Sequence, residues 1–242
     1  MQAVQQHGGQ QGHQVPPEPF RRRINNFLAR VVSRFRIALL VILIAAAALL
    51  VGYVIYNEVS KKLIADSTLL AEHAQTQFDA WQSETDVTKK AALEKDLFDQ
   101  LGTLINRYPR QYGGQRGLFL RADANYEKKA WDAAFKDYET LAARFPKSYL
   151  APISLFDAAV CHEEKGDTDN ALKLYVQASG SYKDSTVAPR ALFDSGRLYE
   201  AKSDWPNAQK AYQSMDGLYA QSMWTRLAKN RLVDLKVQGK IK

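Results

Sequence analysis

The chain has 242 residues, of which 46% are hydrophobic and 24% are charged, an ordinary composition for a folded protein. Its formal net charge of +7 is uneven, because residues 1–36 carry +5 and the other 206 residues only +2. The larger part of the chain is therefore close to neutral, which argues against nucleic acid as a partner. The single cysteine, Cys161, excludes an intrachain disulfide.

The N-terminal region predicts a membrane anchor. Residues 1–20 are polar and rich in glutamine, glycine and proline, so we expect a disordered tail. Residues 21–36 form a basic juxtamembrane segment that contains Arg21, Arg22, Arg23, Arg30, Arg34 and Arg36. Residues 37–56 carry no charge, and twelve of these twenty residues are Ile, Leu or Val. We predict one transmembrane helix here, since its length of about 30 Å matches a bilayer core and exceeds the apolar part of a cleaved signal peptide.

The charges on either side of the predicted span indicate its orientation. Six arginines precede it, whereas Lys61 and Lys62 follow it and are partly offset by Glu58. The positive-inside rule then places the N-terminus in the cytoplasm and residues 57–242 on the other side of the membrane. In a bacterium with two membranes, this is the periplasmic face of the inner membrane. The arginines are also placed to attract anionic lipid head groups.

Helical periodicity continues after the span. Residues 57–82 contain no glycine or proline. Their apolar stripe consists of Leu63, Leu70, Ala74, Phe78 and Trp81, so we expect the helix to continue past the membrane. Residues 83–86 interrupt the pattern, and residues 91–107 predict a second helix that ends at Tyr108-Pro109.

The remaining chain repeats with a period of 37 residues. The shared positions are Leu118-Phe119, Leu155-Phe156 and Leu192-Phe193; Ala122, Ala159 and Gly196; Ala134, Ala171 and Ala208; and Tyr138, Tyr175 and Tyr212. Each copy fits two helices joined by a polar turn, and stacking is needed to bury their apolar faces. We therefore predict an all-α solenoid with a domain at residues 57–242. It has a degenerate repeat at 63–111, repeats at about 115–148, 152–185 and 189–220, and a capping helix at 223–237.

This pattern resembles the tetratricopeptide repeat. In that repeat a small residue is followed by alanine, an aromatic residue and proline, and the first copy matches with Ala122, Ala134, Tyr138 and Pro146. The other two copies lack the proline and have Lys183 and Ala220 in its place. The longer period is similar to the repeat variety of the BamD and CpoB/YbgF families. The whole layout resembles YfgM-like proteins, which implies an ancillary Sec translocon subunit that cooperates with a membrane-anchored periplasmic chaperone.

Two segments contain residue types that are common in catalytic or ligand-binding sites. Cys161-His162-Glu163-Glu164 is the only cluster of reactive residue types, but successive helix residues do not face one another, and Cys161 aligns with core positions. Residues 113–117 are rich in glycine yet lack the Lys-Ser/Thr of a phosphate-binding loop, so they predict a turn between helices. We therefore expect no catalytic residue, no metal site, no cofactor and no enzymatic activity.

The expected function is protein binding by a membrane-anchored scaffold. Candidate groove residues lie on the first helix of each repeat and are Arg121, Asn125, His162 and Tyr199. The resemblance to YfgM-like proteins implies the Sec translocon or a periplasmic chaperone as the partner. The alternative is a structural component of an envelope machine, such as a flagellar motor collar or a cell-wall complex. A mitochondrial import receptor with an N-terminal anchor has a similar layout.

Overall fold

The computed structural model describes residues 20–242, and in that range the chain forms nine α-helices and no strand. The helices are α1 (Phe20–Ser83), α2 (Val87–Arg107), α3 (Tyr112–Glu127), α4 (Trp131–Arg144), α5 (Leu150–Glu164), α6 (Thr168–Ser181), α7 (Ala188–Ala201), α8 (Trp205–Leu218) and α9 (Met223–Val237). The prediction of an all-α solenoid is confirmed. Residues 1–19 of the expected disordered tail lie outside the described residues.

The chain divides into two compact units, and the first ends at Val59. Within the described residues, this unit consists of the N-terminal part of α1. Every residue from 20 to 56 is exposed. The most apolar window of 18 residues has a mean hydropathy of 2.9 and no buried residue. Length and composition make this stretch a candidate membrane span.

The second unit, residues 60–242, is the solenoid, and it includes the last part of α1. The buried stripe of α1 is Ser67, Ala71, Ala74, Phe78 and Trp81. The apolar members of this stripe pack with Leu97, Leu101 and Leu104 of α2 and with Leu120 and Ala124 of α3. The second half of α1 therefore acts as the first helix of the first pair, followed by α3/α4, α5/α6 and α7/α8, with α9 packed on the last pair.

Small residues and tyrosines build the contact within each pair. The alanines at the two recurring small positions are fully buried, and so are the rings of Tyr138, Tyr175 and Tyr212. At Gly196 a Cβ atom would lie 2.5 Å from Cε1 of Tyr212. Close helix approach thus depends on small side chains facing a tyrosine ring, and dense packing leaves little room for larger ones.

A ladder of surface ion pairs connects successive pairs. The turn lysines Lys128, Lys165 and Lys202 lie 37 residues apart, and each contacts an acid on the preceding second helix. Their partners are Glu94, Asp132 and Asp169, respectively. These pairs are exposed, so each contributes at most about 1 kcal/mol to stability.

Two sequence predictions are wrong in detail. The glycine-rich residues 113–117 belong to α3 rather than to a turn. Gly113 lies directly against the backbone of Ser67 on α1, and Gly114 lies against the carbonyl of Tyr108, so these glycines allow close approach. In addition, α2 begins at Val87 instead of residue 91, because the Asp86 carboxylate accepts a hydrogen bond from the Lys89 backbone N–H at 2.9 Å and caps the helix.

Candidate protein-binding groove

Two of the four predicted groove residues make polar contacts inside the repeat domain. The Arg121 guanidinium on α3 donates two hydrogen bonds of 2.7 Å to the Asp137 carboxylate on α4. Nδ1 of His162 lies 3.0 Å from Oδ2 of Asp167. The edge of the same imidazole packs on Phe135, with 4.3 Å between ring centroids. These side chains fasten first helices to their neighbours.

The other two predicted groove residues are packed. Asn125 is buried on α3. Tyr199 on α7 packs against a core cluster that includes Ala208 and Tyr212. As partner-binding residues, Arg121, Asn125, His162 and Tyr199 stay a prediction, and the structure gives each a contact or a packing role within the domain.

A different set of residues on the first helices lines a cavity of about 370 Å³, here called the inner cavity. Its lining residues are Phe78, Gln82, Asp123, Tyr126, Glu127, Tyr138, Phe156, Asp157, Val160 and Arg190. All but Tyr138 belong to α1, α3, α5 or α7, the first helices of four successive pairs. The inner cavity therefore lies along the face that the first helices share, which is where a solenoid offers an extended binding surface.

Aromatic and aliphatic side chains form the apolar walls of the inner cavity. Tyr126 packs on Trp131 with 4.8 Å between ring centroids, and Phe156 packs on Tyr175 at 5.2 Å. Phe78 packs on Trp81 at 5.7 Å. Because neighbouring rings hold these side chains in place, the walls are pre-organised and lose less conformational entropy when a partner binds.

The charged groups of the inner cavity are three carboxylates and one guanidinium. Asp123 accepts a hydrogen bond of 2.5 Å from the Tyr138 hydroxyl. Burial raises the pKa of the Asp123 carboxyl to about 6, although the bond from Tyr138 and the charge of Arg116 oppose the shift. Burial, together with the charge of Asp123, raises the pKa of Asp157 to about 7, although the charge of Arg190 opposes the shift. Within residues 20–242, the Asp157 side chain has no hydrogen bond or ion pair.

Arg190 on α7 is already engaged by other groups. Its guanidinium lies over the Phe156 ring at 4.7 Å and over the Trp224 ring at 5.4 Å. Its Nε lies 3.6 Å from Oδ2 of Asp194, one turn further along α7. The side chain thus borders the inner cavity while its ion pair is with Asp194.

The region around Cys161 does not form a reactive site. Cys161 is fully buried on α5. Burial, and to a lesser extent the charge of Asp157, raises the pKa of its thiol to about 12, so the nucleophilic thiolate is scarce. Among the described residues, no group of three or more His, Cys, Asp and Glu side chains is arranged to hold a metal ion.

The sequence carries one overlooked signal for the acidic lining. The recurring Leu-Phe pair extends by one residue in two copies, as Leu155-Phe156-Asp157 and Leu192-Phe193-Asp194. An acidic residue that recurs at the same repeat position, next to an aromatic residue of the core, is a candidate for the inner face. No such recurrence marks Asp123, because the next copy has Val160 at its position.

Stacked helix pairs with a cavity along their shared face define a helical-repeat protein of the kind that binds other proteins. A family model described as tetratricopeptide repeat-like domain matches residues 33–239, and the chain belongs to this family. No curated protein matches the chain. The chain is similar to a solved structure, the crystal structure of BtubC (BKLC) from P. vanneervenii, with a TM-score of 0.47 and 16% identity over 67% of this chain and 74% of that chain.

Proposed function

We propose that the chain is a membrane-anchored scaffold whose repeat domain binds another protein at the periplasmic face of the inner membrane. The inner cavity carries this proposal, because it draws its lining from four successive first helices and combines fixed aromatic walls with charged groups. Repeat domains of this family generally act as non-enzymatic scaffolds for other proteins, which supports the same function.

Membrane attachment and orientation rest on the N-terminal part of α1. Its apolar stretch is long enough to span a bilayer, and the six arginines from Arg21 to Arg36 precede it. Fusion of alkaline phosphatase, which is active only after export, to either end of the chain tests the orientation. We expect activity from the C-terminal fusion and none from the N-terminal fusion. The reverse pattern would place the repeat domain in the cytoplasm.

The resemblance to YfgM-like proteins suggests the Sec translocon or a membrane-bound periplasmic chaperone as the partner. A tether would raise the local concentration of the repeat domain beside such a partner. The alternative partner is a structural envelope machine, such as a flagellar motor collar or a cell-wall complex. Fixed stoichiometry and self-association would characterise that alternative.

Site-specific photo-crosslinking in cells tests both the partner and the surface. Val160 lines the inner cavity on α5, whereas Val176 on α6 is 43% exposed and lies outside the cavity lining. A photo-reactive residue at position 160 should trap translocon or chaperone subunits, and the same residue at position 176 should not. Components of a flagellar or cell-wall machine at position 160 would replace the translocon assignment. Crosslinks from position 176 alone would refute binding at the inner cavity.

A further inference from the structure

A polar triad recurs in the second and third repeats. The Tyr175 hydroxyl donates to the Glu163 carboxylate at 3.1 Å, and Arg197 from the next pair donates to the same carboxylate at 2.8 Å. In the third repeat the Tyr212 hydroxyl donates to Glu200 at 2.5 Å, and Glu200 is ion-paired with Arg231 of α9. Each of these carboxylates is therefore neutralised by an arginine from the following helix pair or cap.

The first repeat lacks this arrangement. The positions 37 residues before Glu163 and Arg197 hold Tyr126 and Val160, so both the acid and the arginine are missing. The Tyr138 hydroxyl instead donates to Asp123 at 2.5 Å. Asp157 lines the same cavity, and neither Asp123 nor Asp157 forms an ion pair within the described residues. Asp123 in the first repeat and Asp157 in the second are thus inner-face carboxylates that no arginine approaches closely enough to form an ion pair, unlike Glu163 and Glu200.

We propose that the inner cavity binds a lysine or arginine side chain of a partner polypeptide, at the place equivalent to that of Arg197 and Arg231 in the later repeats. The proposal rests on the proposed function, since it names the chemistry of the segment that the scaffold recognises. The two can be distinguished. If the inner cavity bound an uncharged segment of a partner, the proposed function would hold and this inference would fail.

The walls of the inner cavity suit such a side chain. Lysine and arginine combine an apolar stem with a charged head, and the inner cavity offers Phe78, Tyr126 and Val160 for the stem and carboxylates for the head. A cation over an aromatic ring is also stabilised, as Arg190 over Phe156 illustrates at 4.7 Å. A volume of about 370 Å³ is within the range of sites that enclose a small ligand or a side chain.

The ionisation of the two aspartates supports the charge argument. Burial holds the pKa of Asp123 at about 6 and that of Asp157 at about 7, which means that the side chains lining the cavity stabilise the charged forms poorly. A bound cation would stabilise these charged forms, so binding should strengthen between pH 5 and pH 8. The other titratable or charged groups that face them are Arg116, Tyr126, Glu127, Tyr138, Cys161 and Arg190.

Selection from a random peptide library tests the proposal on the full chain in detergent micelles. Displayed nonapeptides are selected at pH 8 on the wild type and on the Asp123→Asn/Asp157→Asn variant. The matched control is Asp132→Asn/Asp169→Asn, which removes the same charge from two exposed sites on second helices. We expect lysine and arginine to be enriched by the wild type and by the control, and not by the cavity variant.

A direct titration then measures the contribution of the cation. The strongest selected peptide is synthesised with its lysine or arginine replaced by norleucine, and binding is followed by fluorescence anisotropy. A hydrogen bond to a charged group contributes about 1.5–3 kcal/mol, so we expect affinity to fall about 10- to 100-fold. The loss should be smaller at pH 5 and absent in the cavity variant.

Three results would overturn the proposal, and they separate it from the proposed function. Equal lysine and arginine enrichment by the cavity variant would place cation binding elsewhere. If neutral peptides crosslink from position 160, the scaffold function would stand and binding of a cationic partner would be refuted. A wild type that selects no peptide, together with no crosslink from position 160 in cells, would refute both.

Discussion

The close contact between α1 and α3 at Gly113 predicts that adding a side chain at this position destabilises the protein. A Cβ atom at this position would overlap the carbonyl oxygen of Ser67 and would lie 2.7 Å from the carbonyl carbon and Cβ of Ser67. Ordinary contacts begin near 3.4 Å, so in Gly113→Ala the two helices must separate by about 0.7 Å or more. Because the obstacle is mainly backbone, it cannot rotate away.

The expected magnitude follows from two opposing terms. Overpacking typically costs about 1–3 kcal/mol, and a backbone obstacle favours the upper end. Alanine regains up to about 1 kcal/mol over glycine from helix propensity. We therefore expect Gly113→Ala to lose about 2 kcal/mol, which lowers the unfolding midpoint of a domain of this size by about 4–8 °C.

The matched control is the same substitution in open space. Gly102 lies inside α2, and no atom lies within 4 Å of the position that a Cβ would take. Gly102→Ala should therefore raise the midpoint by about 2–4 °C through helix propensity alone. Thermal unfolding of the full chain in detergent, followed by tryptophan fluorescence, measures both, and Trp81, which is 3% exposed, reports on the packing of α1 in the domain. Equal or greater stability of Gly113→Ala would refute packing of α1 on α3 at Ser67.

Three further predictions concern charge and reactivity. Burial raises the pKa of Asp157 to about 7, so the folded chain retains a proton that the unfolded chain releases above about pH 4. The free energy of unfolding therefore falls as the pH rises from about 4 to about 7. Asp157→Asn should therefore gain up to about 4 kcal/mol at pH 8 and almost nothing at pH 4 in urea titrations, whereas equal gains at both would refute the burial of this charge. Lys165→Ala should cost less than about 1 kcal/mol because its acidic partner is exposed. Arg231→Ala should cost about 1–3 kcal/mol, since it leaves the Glu200 carboxylate, 10% exposed, without its cation; equal losses would show that burial does not distinguish the two pairs. Cys161, fully buried with its thiol pKa raised to about 12, should react with iodoacetamide at pH 8 only after denaturation, as read by mass spectrometry, and rapid labelling of the native protein would show that α5 opens.

The aspartates without an ion pair suggest that the inner cavity lowers the stability of the folded domain and favours the binding of a partner. Glu163 and Glu200 show how the same fold neutralises an inner-face acid with an arginine from the following helix pair or cap. Asp123 in the first repeat and Asp157 in the second form no ion pair with such an arginine. Strained or unsatisfied groups cluster at sites of function, where a ligand provides the missing interaction.

The period of 37 residues determined the architecture by itself. Each helix pair contacts only its neighbours, so the small residue at Ala122 and the ring at Tyr138 had to recur wherever a pair was stacked. A one-dimensional pattern is enough to predict a fold whose contacts are close in sequence. The apolar stretch at residues 37–56 was equally plain as a candidate span, because its length matches the thickness of a bilayer core.

Only the tertiary structure decided which polar side chains face the inner cavity. Arg121 and Asp123 are two residues apart on α3, yet the first pairs with Asp137 on α4 and the second lines the inner cavity. Residues at that separation point to nearly opposite sides of a helix. Which side faces inward depends on how α3 is rotated, and that rotation is constrained by Gly113, packed against α1, and by Gly117, packed against α2. Some polar residues of the first helices do recur, such as Asp157 and Asp194, but the recurrence does not tell which of them face the inner cavity, because solvent and a binding groove accept the same residue types.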